Sequence, residues 1–149
     1  MIDWDARFME LAQFVGNWSK DRSTKVGCII VGPNNEVRAI GYNGFPRGIS
    51  DEDDEKHSRP AKYLWTEHAE RNAIYHAALI GVALKGCRMY LPWFPCMDCA
   101  RAIVQSGISQ LVAFSPELEH PKWGNDFRSS IALLREAGVQ VKFMPRQQD

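Results

Sequence analysis

The second half of the chain alternates between short segments with the pattern of strands and segments with helical periodicity. "CRMYL", "QLVAF" and "VQVKFM" are typical of strands, and helical patterns separate them, one opening at Cys96 and one from about Phe127 to Ala137. Consecutive strands joined by a single helix return by a right-handed crossover and lie parallel. The alternation therefore predicts a parallel sheet covered by helices on both faces.

The first half of the chain adds two helices and a hairpin. "VGCIIVGPNNEVRAIG" predicts two antiparallel strands, Val26 to Val31 and Val37 to Ile40, and the segment from Gly41 to Pro60 predicts a long loop. A second helix begins near His68. The first helix has Asp3 as its expected N-cap, and its apolar face is formed by Trp4, Phe8, Leu11, Ala12, Val15 and Trp18.

The order of these elements and the chain length predict one domain. We expect an α/β fold, a three-layer α/β/α sandwich with a five-stranded mixed sheet, over residues 1–149.

Charge and composition exclude several classes of protein. Eighteen Lys plus Arg balance eighteen Asp plus Glu, so no excess positive charge favours nucleic acid or an anionic membrane as a partner. No apolar run approaches the roughly 20 residues that a bilayer span requires. The first residues, "MIDWDARFMELAQF", lack the pattern of a secretory signal, and we expect a cytoplasmic protein. In a reducing compartment its four cysteines are metal ligands or core residues.

Two short motifs contain the candidate metal ligands and a candidate proton-transfer residue. Cys96 and Cys99 lie three positions apart at a helix start, where the helix dipole stabilises thiolates, so both sulfurs can hold a zinc ion. His68 supplies a third ligand, and three protein ligands leave one tetrahedral position for water, as in catalytic zinc sites. Zinc at such a site lowers the pKa of water to roughly 7. Glu70 is close enough to carry protons without binding the metal.

The same residues allow a structural interpretation. Zinc could be purely structural, with Glu70 as ordinary charge in the first turn of a helix, or the two cysteines could lie in the core without metal. Structural zinc normally needs four ligands, and no fourth stands out in the sequence. Cys28 and Cys87 lie among apolar residues in predicted strands and are expected to be core side chains.

The motifs match a known signature. Zinc-dependent deaminases of nucleobases carry H-x-E followed by P-C-x-x-C, and the chain has His68-Ala69-Glu70 and Pro95 to Cys99. "SKDRSTKVGCIIV", "GYNGFPRGISD", "HAERNAI" and "KGCRMYLPWFPCMDCARAIVQSGI" resemble deoxycytidylate (dCMP) deaminases of the cytidine deaminase-like superfamily. The resemblance implies zinc-dependent hydrolysis of dCMP to dUMP and ammonia, with Glu70 moving the protons.

The resemblance also implies contacts with the sugar and the base. Asn43 is expected to reach a deoxyribose hydroxyl, although "YNG" is also a typical turn sequence. Ala69 is expected to contact the substrate. Trp123 and His120 could close over the base, or they could be buried against the body of the protein.

The resemblance makes "KDRSTK" the candidate segment for binding the 5′-phosphate of the substrate. Arg22 and Lys25 offer cationic donors, while Ser23 and Thr24 offer hydroxyl groups. The alternative is that these side chains form ordinary solvated surface.

Regulation and assembly are further implications of the resemblance. Regulated members of the family respond to dCTP and dTTP at a subunit interface and are commonly hexameric, so these nucleotides are candidate effectors and a homo-oligomer is expected. Some members carry extra zinc ligands before the His-Ala-Glu motif. Here the segment "ISDEDDEKHSRPAKYLW" contains only His57, so no second zinc is expected.

Three other functions remain as alternatives. A tRNA adenosine deaminase would use the same chemistry, but the neutral net charge and the acidic run from Asp51 to Glu55 disfavour it. A cytidine or CMP deaminase would differ only in contacts to the sugar and phosphate. A non-catalytic zinc-stabilised interaction domain would leave Glu70 without a role.

Overall fold

A computed structural model describes residues 1–146, so the last three residues of the predicted 1–149 domain lie outside the described residues. Within residues 1–146 there are six helices, α1 (Trp4–Gly16), α2 (Asp54–His57), α3 (Lys62–Trp65), α4 (Ala69–Ile80), α5 (Met97–Gln105) and α6 (Gly124–Glu136). The same described part of the chain contains five strands, β1 (Gly27–Val31), β2 (Val37–Tyr42), β3 (Arg88–Leu91), β4 (Gln110–Phe114) and β5 (Gln140–Met144).

The five strands form one mixed sheet in the order β2-β1-β3-β4-β5. β1 pairs antiparallel with both β2 and β3, so that Ile30 lies opposite Ala39 on one side and Met89 on the other. β3, β4 and β5 run parallel, with Met89 opposite Leu111 and Leu111 opposite Val141. Both the predicted hairpin and the predicted parallel strands are confirmed.

Helices cover both faces of the sheet, as the sequence predicts for a three-layer sandwich. α1 packs on one face against alternate residues of the central strands, including Ile29, Val31 and Tyr90. α4, α5 and α6 pack on the other face, where Cys28, Ile30, Met89 and Leu111 point. Side chains on a strand alternate in direction, so alternate residues face opposite helical layers. β1 is buried along its whole length and contributes side chains to the hydrophobic cores on both faces of the sheet.

Several boundaries differ from the sequence-based prediction. The segment predicted as a loop contains α2, and the turn of helix α3 follows it. α6 begins at Gly124, ahead of the predicted Phe127. α1 ends at Gly16, so Trp18 lies beyond the helix and half of its surface is exposed. The predicted cap is confirmed, because Asp3 accepts a 3.1 Å hydrogen bond from the Ala6 backbone N–H.

Two features of the fold place the candidate site. α4 and α5 both begin at the same end of the sheet, directly after His68 and Cys96, the residues that cap them. Gly41 of β2 lets α4 approach closely, because a Cβ at this position would overlap the backbone of Ala69 and Ala73. No helix within residues 1–146 has the length and apolar character needed to cross a bilayer.

Candidate active site

The three predicted metal ligands converge at the adjacent starts of two helices. His68 occupies the N-cap position of α4, Cys96 occupies that of α5, and Cys99 lies in the first turn of α5. The Nδ1 atom of His68 is 3.6 Å from the Cys96 sulfur and 3.4 Å from the Cys99 sulfur. All three ligand atoms lie within 4.8 Å of one another, which is the spacing of a metal-binding group.

The geometry of this group fits zinc. Zinc binds sulfur at about 2.3 Å and imidazole nitrogen at about 2.0–2.1 Å in a tetrahedral arrangement, which separates the two ligand atoms by roughly 3.6 Å. The observed separations between His68 and the two sulfurs match that value. Two sulfurs and one imidazole nitrogen are also a donor set that zinc favours. Within the described residues, the group has three protein ligands, which corresponds to a catalytic site.

The two cysteines differ in their protonation. Hydrogen bonding from the Cys99 thiol, aided by His68 and opposed by burial, lowers the pKa of Cys96 to about 4. The pKa of Cys99 is raised by the same contact with Cys96 and by its own burial. Cys96 is therefore held as a thiolate, the form that binds metals, at the positive end of α5.

Glu70 is a buried carboxyl group beside this cluster. Only 5% of its surface is exposed, and burial raises its pKa, a shift that His68 and a hydrogen bond with Cys99 partly oppose. It lies in the first turn of α4, two residues after His68. A carboxyl group whose pKa is raised by burial is better suited to both accepting and donating a proton than an exposed one.

Arg71 joins the two helices that carry the ligands. Its Nε atom is 2.6 Å from a carboxylate oxygen of Glu67, and its Nη1 atom is 3.7 Å from Asp98 of α5. Glu67 in turn forms a two-way backbone bridge with Gly44, at 2.8 and 3.1 Å. A chain of polar contacts thus fixes the start of α4 relative to α5.

The cluster opens into a cavity of about 290 Å³, near the lower limit for small-molecule sites. His68, Ala69, Glu70 and Cys96 lie on its wall. Aromatic and charged side chains line the rest, including Tyr63, Trp93, Phe94, Trp123 and Phe127 among the aromatic residues and Asp21, Arg59, Lys62, Lys122 and Asp126 among the charged ones. Apolar walls with a few polar groups are typical of a cavity that binds a ring-shaped ligand.

Some of the residues predicted to bind substrate line this cavity. Ala69, Asn43 and Thr24 do so, and Asn43 is 8% exposed. The Asn43 amide oxygen accepts a 2.9 Å hydrogen bond from the Val26 N–H, and its nitrogen donates to the Thr24 carbonyl at 2.8 Å. One amide hydrogen of Asn43 remains available, since the group carries two donors.

Other predicted residues do not lie on the cavity wall. Arg22, Ser23 and Lys25 are exposed and absent from the lining, so their role in phosphate binding stays a prediction. Trp123 lines the cavity, whereas His120 does not and instead accepts hydrogen bonds from the Lys122 and Trp123 backbone N–H groups, both at 3.1 Å.

Several residues of the cavity have no local signal in the sequence. Arg59 and Lys122 come from two irregular segments, Lys62 begins the short helix α3, and Trp93 comes from the turn between β3 and α5. Only the "PWFP" sequence beside the zinc motif could have indicated that Trp93 lies near the site.

Comparison with known proteins agrees with the site. A family profile described as "Cytidine and deoxycytidylate deaminase zinc-binding region" matches residues 2–115. An uncharacterized deaminase from Aliivibrio fischeri is 41% identical over 95% of this chain and 94% of its own length. Human deoxycytidylate deaminase is 34% identical, over 97% of this chain and 82% of its own.

A solved structure shows the same fold. The dCMP deaminase of cyanophage S-TIM5, in complex with dCMP and dUMP, superposes with a TM-score of 0.76 over 93% of this chain and 95% of its own, at 26% identity. Because the family profile covers most of the sequence and includes the His-Cys-Cys cluster, the chain belongs to the cytidine and deoxycytidylate deaminase family of zinc-dependent enzymes.

Proposed function

We propose that this enzyme catalyses the hydrolytic deamination of dCMP to dUMP and ammonia. The observation that carries the proposal is a buried carboxyl group, Glu70, beside the His68, Cys96 and Cys99 cluster on the wall of one cavity. The names of the human relative and of the cyanophage enzyme, whose structure contains dCMP and dUMP, support this choice of substrate.

His68, Cys96 and Cys99 would hold the zinc ion, because their ligand atoms have the required chemistry and spacing. Bound zinc supplies a nucleophile at neutral pH by lowering the pKa of water from about 15.7 to about 7. The Cys96 thiolate is ready to bind the metal, since its pKa is lowered to about 4 by Cys99 and His68.

Glu70 moves protons during the reaction. It takes a proton from the attacking water and delivers it to N3 of the cytosine ring. It then takes the proton of the new C4 hydroxyl group and passes it to the amino group, so that the C4–N bond breaks, ammonia departs and the C4 carbonyl of uracil forms. Its burial supports this role, because a raised pKa lets the carboxyl group alternate between its two protonation states.

The surrounding residues bind and orient the nucleotide. The free amide hydrogen of Asn43 donates to a deoxyribose hydroxyl, while its other contacts with Val26 and Thr24 keep the side chain in place. Ala69 contacts the base from the start of α4. Trp93 and Phe127, whose rings meet edge to face at 6.1 Å, exclude water from the cavity.

Regulation, assembly and location belong to the same proposal. The enzyme acts as a homo-oligomer, up to a hexamer, with dCTP and dTTP as effectors. A second cavity of about 500 Å³, lined by residues of the "GYNGFPRG" segment and by α4, offers a place for an effector. The cytoplasm is the proposed location, because its reducing conditions keep Cys96 and Cys99 free to bind metal.

Turnover of dCMP by the zinc-loaded enzyme tests the proposal, with CMP, deoxycytidine and a tRNA adenosine substrate as comparisons and with dCTP plus magnesium in parallel assays. Glu70→Gln is expected to reduce turnover by at least about 10³-fold while zinc content stays at the wild-type level. Glu10→Gln, a change on the exposed face of α1, is the control and should not alter activity. An active Glu70→Gln enzyme would disprove the role of Glu70, and a wild type inactive on dCMP would disprove the choice of substrate.

A further inference from the structure

Three cations line the cavity, and one of them is already neutralised. The Lys62 side chain is mostly buried, and its ammonium group donates to the Ser23 hydroxyl at 2.7 Å and to the Asp21 carboxylate at 3.3 Å. The same Asp21 oxygen accepts hydrogen bonds from the Ser23 and Thr24 backbone N–H groups at 2.9 and 3.0 Å. Lys62 therefore stabilises the turn that precedes β1, and its charge is matched by Asp21.

Arg59 and Lys122, the other two cations, have a different environment. Both are exposed, both line the cavity, and neither forms an ion pair with a carboxylate within residues 1–146. Arg59 lies between α2 and α3, and Lys122 lies between β4 and α6. Two segments that are distant in the sequence thus each bring an unpaired positive charge to the same cavity.

Aromatic rings hold the Lys122 ammonium group near the cavity. It lies 4.8 Å from the ring centre of Trp123 and 5.8 Å from that of Tyr63, a residue of α3. Both rings also line the cavity. Such contacts favour a cation without neutralising it, so Lys122 keeps its charge available for an anion.

The acidic residues of the cavity do not cancel these two charges. Asp21 is paired with Lys62, and Glu70 lies beside the metal-binding cluster. Asp126 accepts a 3.3 Å hydrogen bond from the Met97 N–H at the start of α5. Within residues 1–146, Arg59 and Lys122 are the lysine and arginine side chains on this wall that have no carboxylate partner and remain available for a ligand.

We propose that Arg59 and Lys122 bind the 5′-phosphate of the substrate and so make the enzyme select a nucleotide over the corresponding nucleoside. This inference rests on the proposed function. A phosphate monoester carries close to two negative charges at neutral pH, and an arginine and a lysine provide a forked donor and a point charge for its oxygens. Arg22 is less suited, since it pairs with Asp54 at 2.6 Å and does not line the cavity.

The test compares kcat/KM for dCMP and for deoxycytidine in the zinc-loaded enzyme. Arg59→Gln and Lys122→Gln are each expected to lower kcat/KM for dCMP by roughly 10- to 100-fold, the effect of one charge-assisted hydrogen bond, and to leave deoxycytidine turnover unchanged. Arg22→Gln and Lys25→Gln are the matched controls, and neither should change the preference for dCMP. The charge-conserving variants Arg59→Lys and Lys122→Arg should retain most of the preference for dCMP over deoxycytidine.

Two results would overturn the inference. One is a preference for dCMP that survives in the double variant Arg59→Gln/Lys122→Gln, and the other is a preference that is lost in the Arg22 or Lys25 variants instead.

Binding of inorganic phosphate, followed by calorimetry, separates this inference from the proposed function. If the wild type deaminates neither dCMP nor deoxycytidine, the proposed function fails, and the phosphate measurement still decides the role of the two cations. Binding that is lost in the double variant supports the phosphate site, and binding equal to that of the wild type rejects it.

Discussion

Arg71 is one side chain, apart from the metal ligands, that links the two halves of the metal-binding cluster. The Arg71 side chain extends from α4, one residue after Glu70. It contacts Glu67, which lies just before α4, and Asp98 on α5. Its positive charge also interacts with the Cys96 and Cys99 side chains. A cation beside two thiolates lowers the free energy of the charged, metal-binding form.

Replacing Arg71 by methionine is expected to weaken zinc binding by about 10-fold, because residues that support metal ligands typically contribute 10- to 100-fold to affinity. Competition with a chromogenic chelator measures the effect. Arg101→Met is the control, since Arg101 also pairs with Asp98 but lies on the exposed side of α5. Equal zinc affinities in the two variants would contradict this role for Arg71.

At the residue scale, the metal ligands could be predicted from sequence, whereas Arg59 and Lys122, the proposed phosphate-binding residues, could not. The H-x-E and C-x-x-C spacings are set by the first turn of one helix each, so local sequence indicates which side chains point together. Arg59 and Lys122 are brought to the cavity by two irregular segments, and no periodicity describes where such segments go. The "KDRSTK" residues are contiguous in the sequence, but Lys20, Arg22 and Lys25 do not line the cavity, and Arg22 pairs with Asp54 instead.

Among the elements, the contact between α4 and β2 positions α4, the helix that carries Glu70. Gly41 faces α4, and the helix backbone at Ala69 and Ala73 lies so close that no side chain fits between them. His76 of α4 adds a second link to β2, because its Nδ1 atom lies 3.1 Å from the Ile40 carbonyl oxygen and 3.3 Å from the Ile40 nitrogen. The position of His68 and Glu70 therefore depends on a glycine in the neighbouring strand.

Gly41→Ala is expected to lower the free energy of unfolding by about 1–3 kcal/mol, because the added methyl group forces α4 away from the sheet. Chemical denaturation measures the change, and turnover should fall with it as Glu70 moves. Gly44→Ala is a matched control, since a Cβ at Gly44 meets no atom within 4 Å. If both variants were as stable as the wild type, close packing at Gly41 would not position α4.

The strands were predicted more accurately than the segments between them. β4 has the predicted limits, Gln110–Phe114, because its buried apolar residues, Leu111 to Ala113, lie in a short segment bounded by Ser109 and Ser115. The short helices α2 and α3 were missed, since four residues are too few to show helical periodicity. They follow a glycine- and proline-rich stretch that resembles a loop in composition.

On the scale of the whole molecule, one polar cluster connects α1, the central strand β3 and the edge strand β5. The Tyr90 hydroxyl donates to the Asp5 carboxylate at 2.6 Å, and Lys142 pairs with the other oxygen of Asp5. Arg88 donates to the Tyr90 oxygen at 3.1 Å. The parallel pairing of β3, β4 and β5 followed from the sequence, but strand order and contacts between residues as distant as Asp5 and Lys142 depend on the complete fold.

This cluster makes stability depend on pH at both extremes. Burial raises the pKa of Asp5, but hydrogen bonds from Lys142 and Tyr90 outweigh burial, and the net pKa lies below the ordinary 3.8. The stabilisation from Asp5 is therefore present above pH 3.8 and is lost as the pH falls further. Burial and the bond to Asp5 raise the pKa of Tyr90 from 10.0 to about 12. Its stabilisation is complete below pH 10 and is lost between pH 10 and about 12.

Tyr90→Phe is expected to lower the free energy of unfolding by about 2 kcal/mol near neutral pH, because it removes a buried hydrogen bond to a charged group. The difference from the wild type should shrink below about pH 4, where Asp5 becomes protonated, and above about pH 10, where the tyrosine of the unfolded wild type ionises. Denaturant titrations from pH 3 to 11 measure this profile. Tyr75→Phe, on an exposed face of α4, should show no such dependence, and a difference for Tyr90→Phe that stays constant across the range would rule out the coupling.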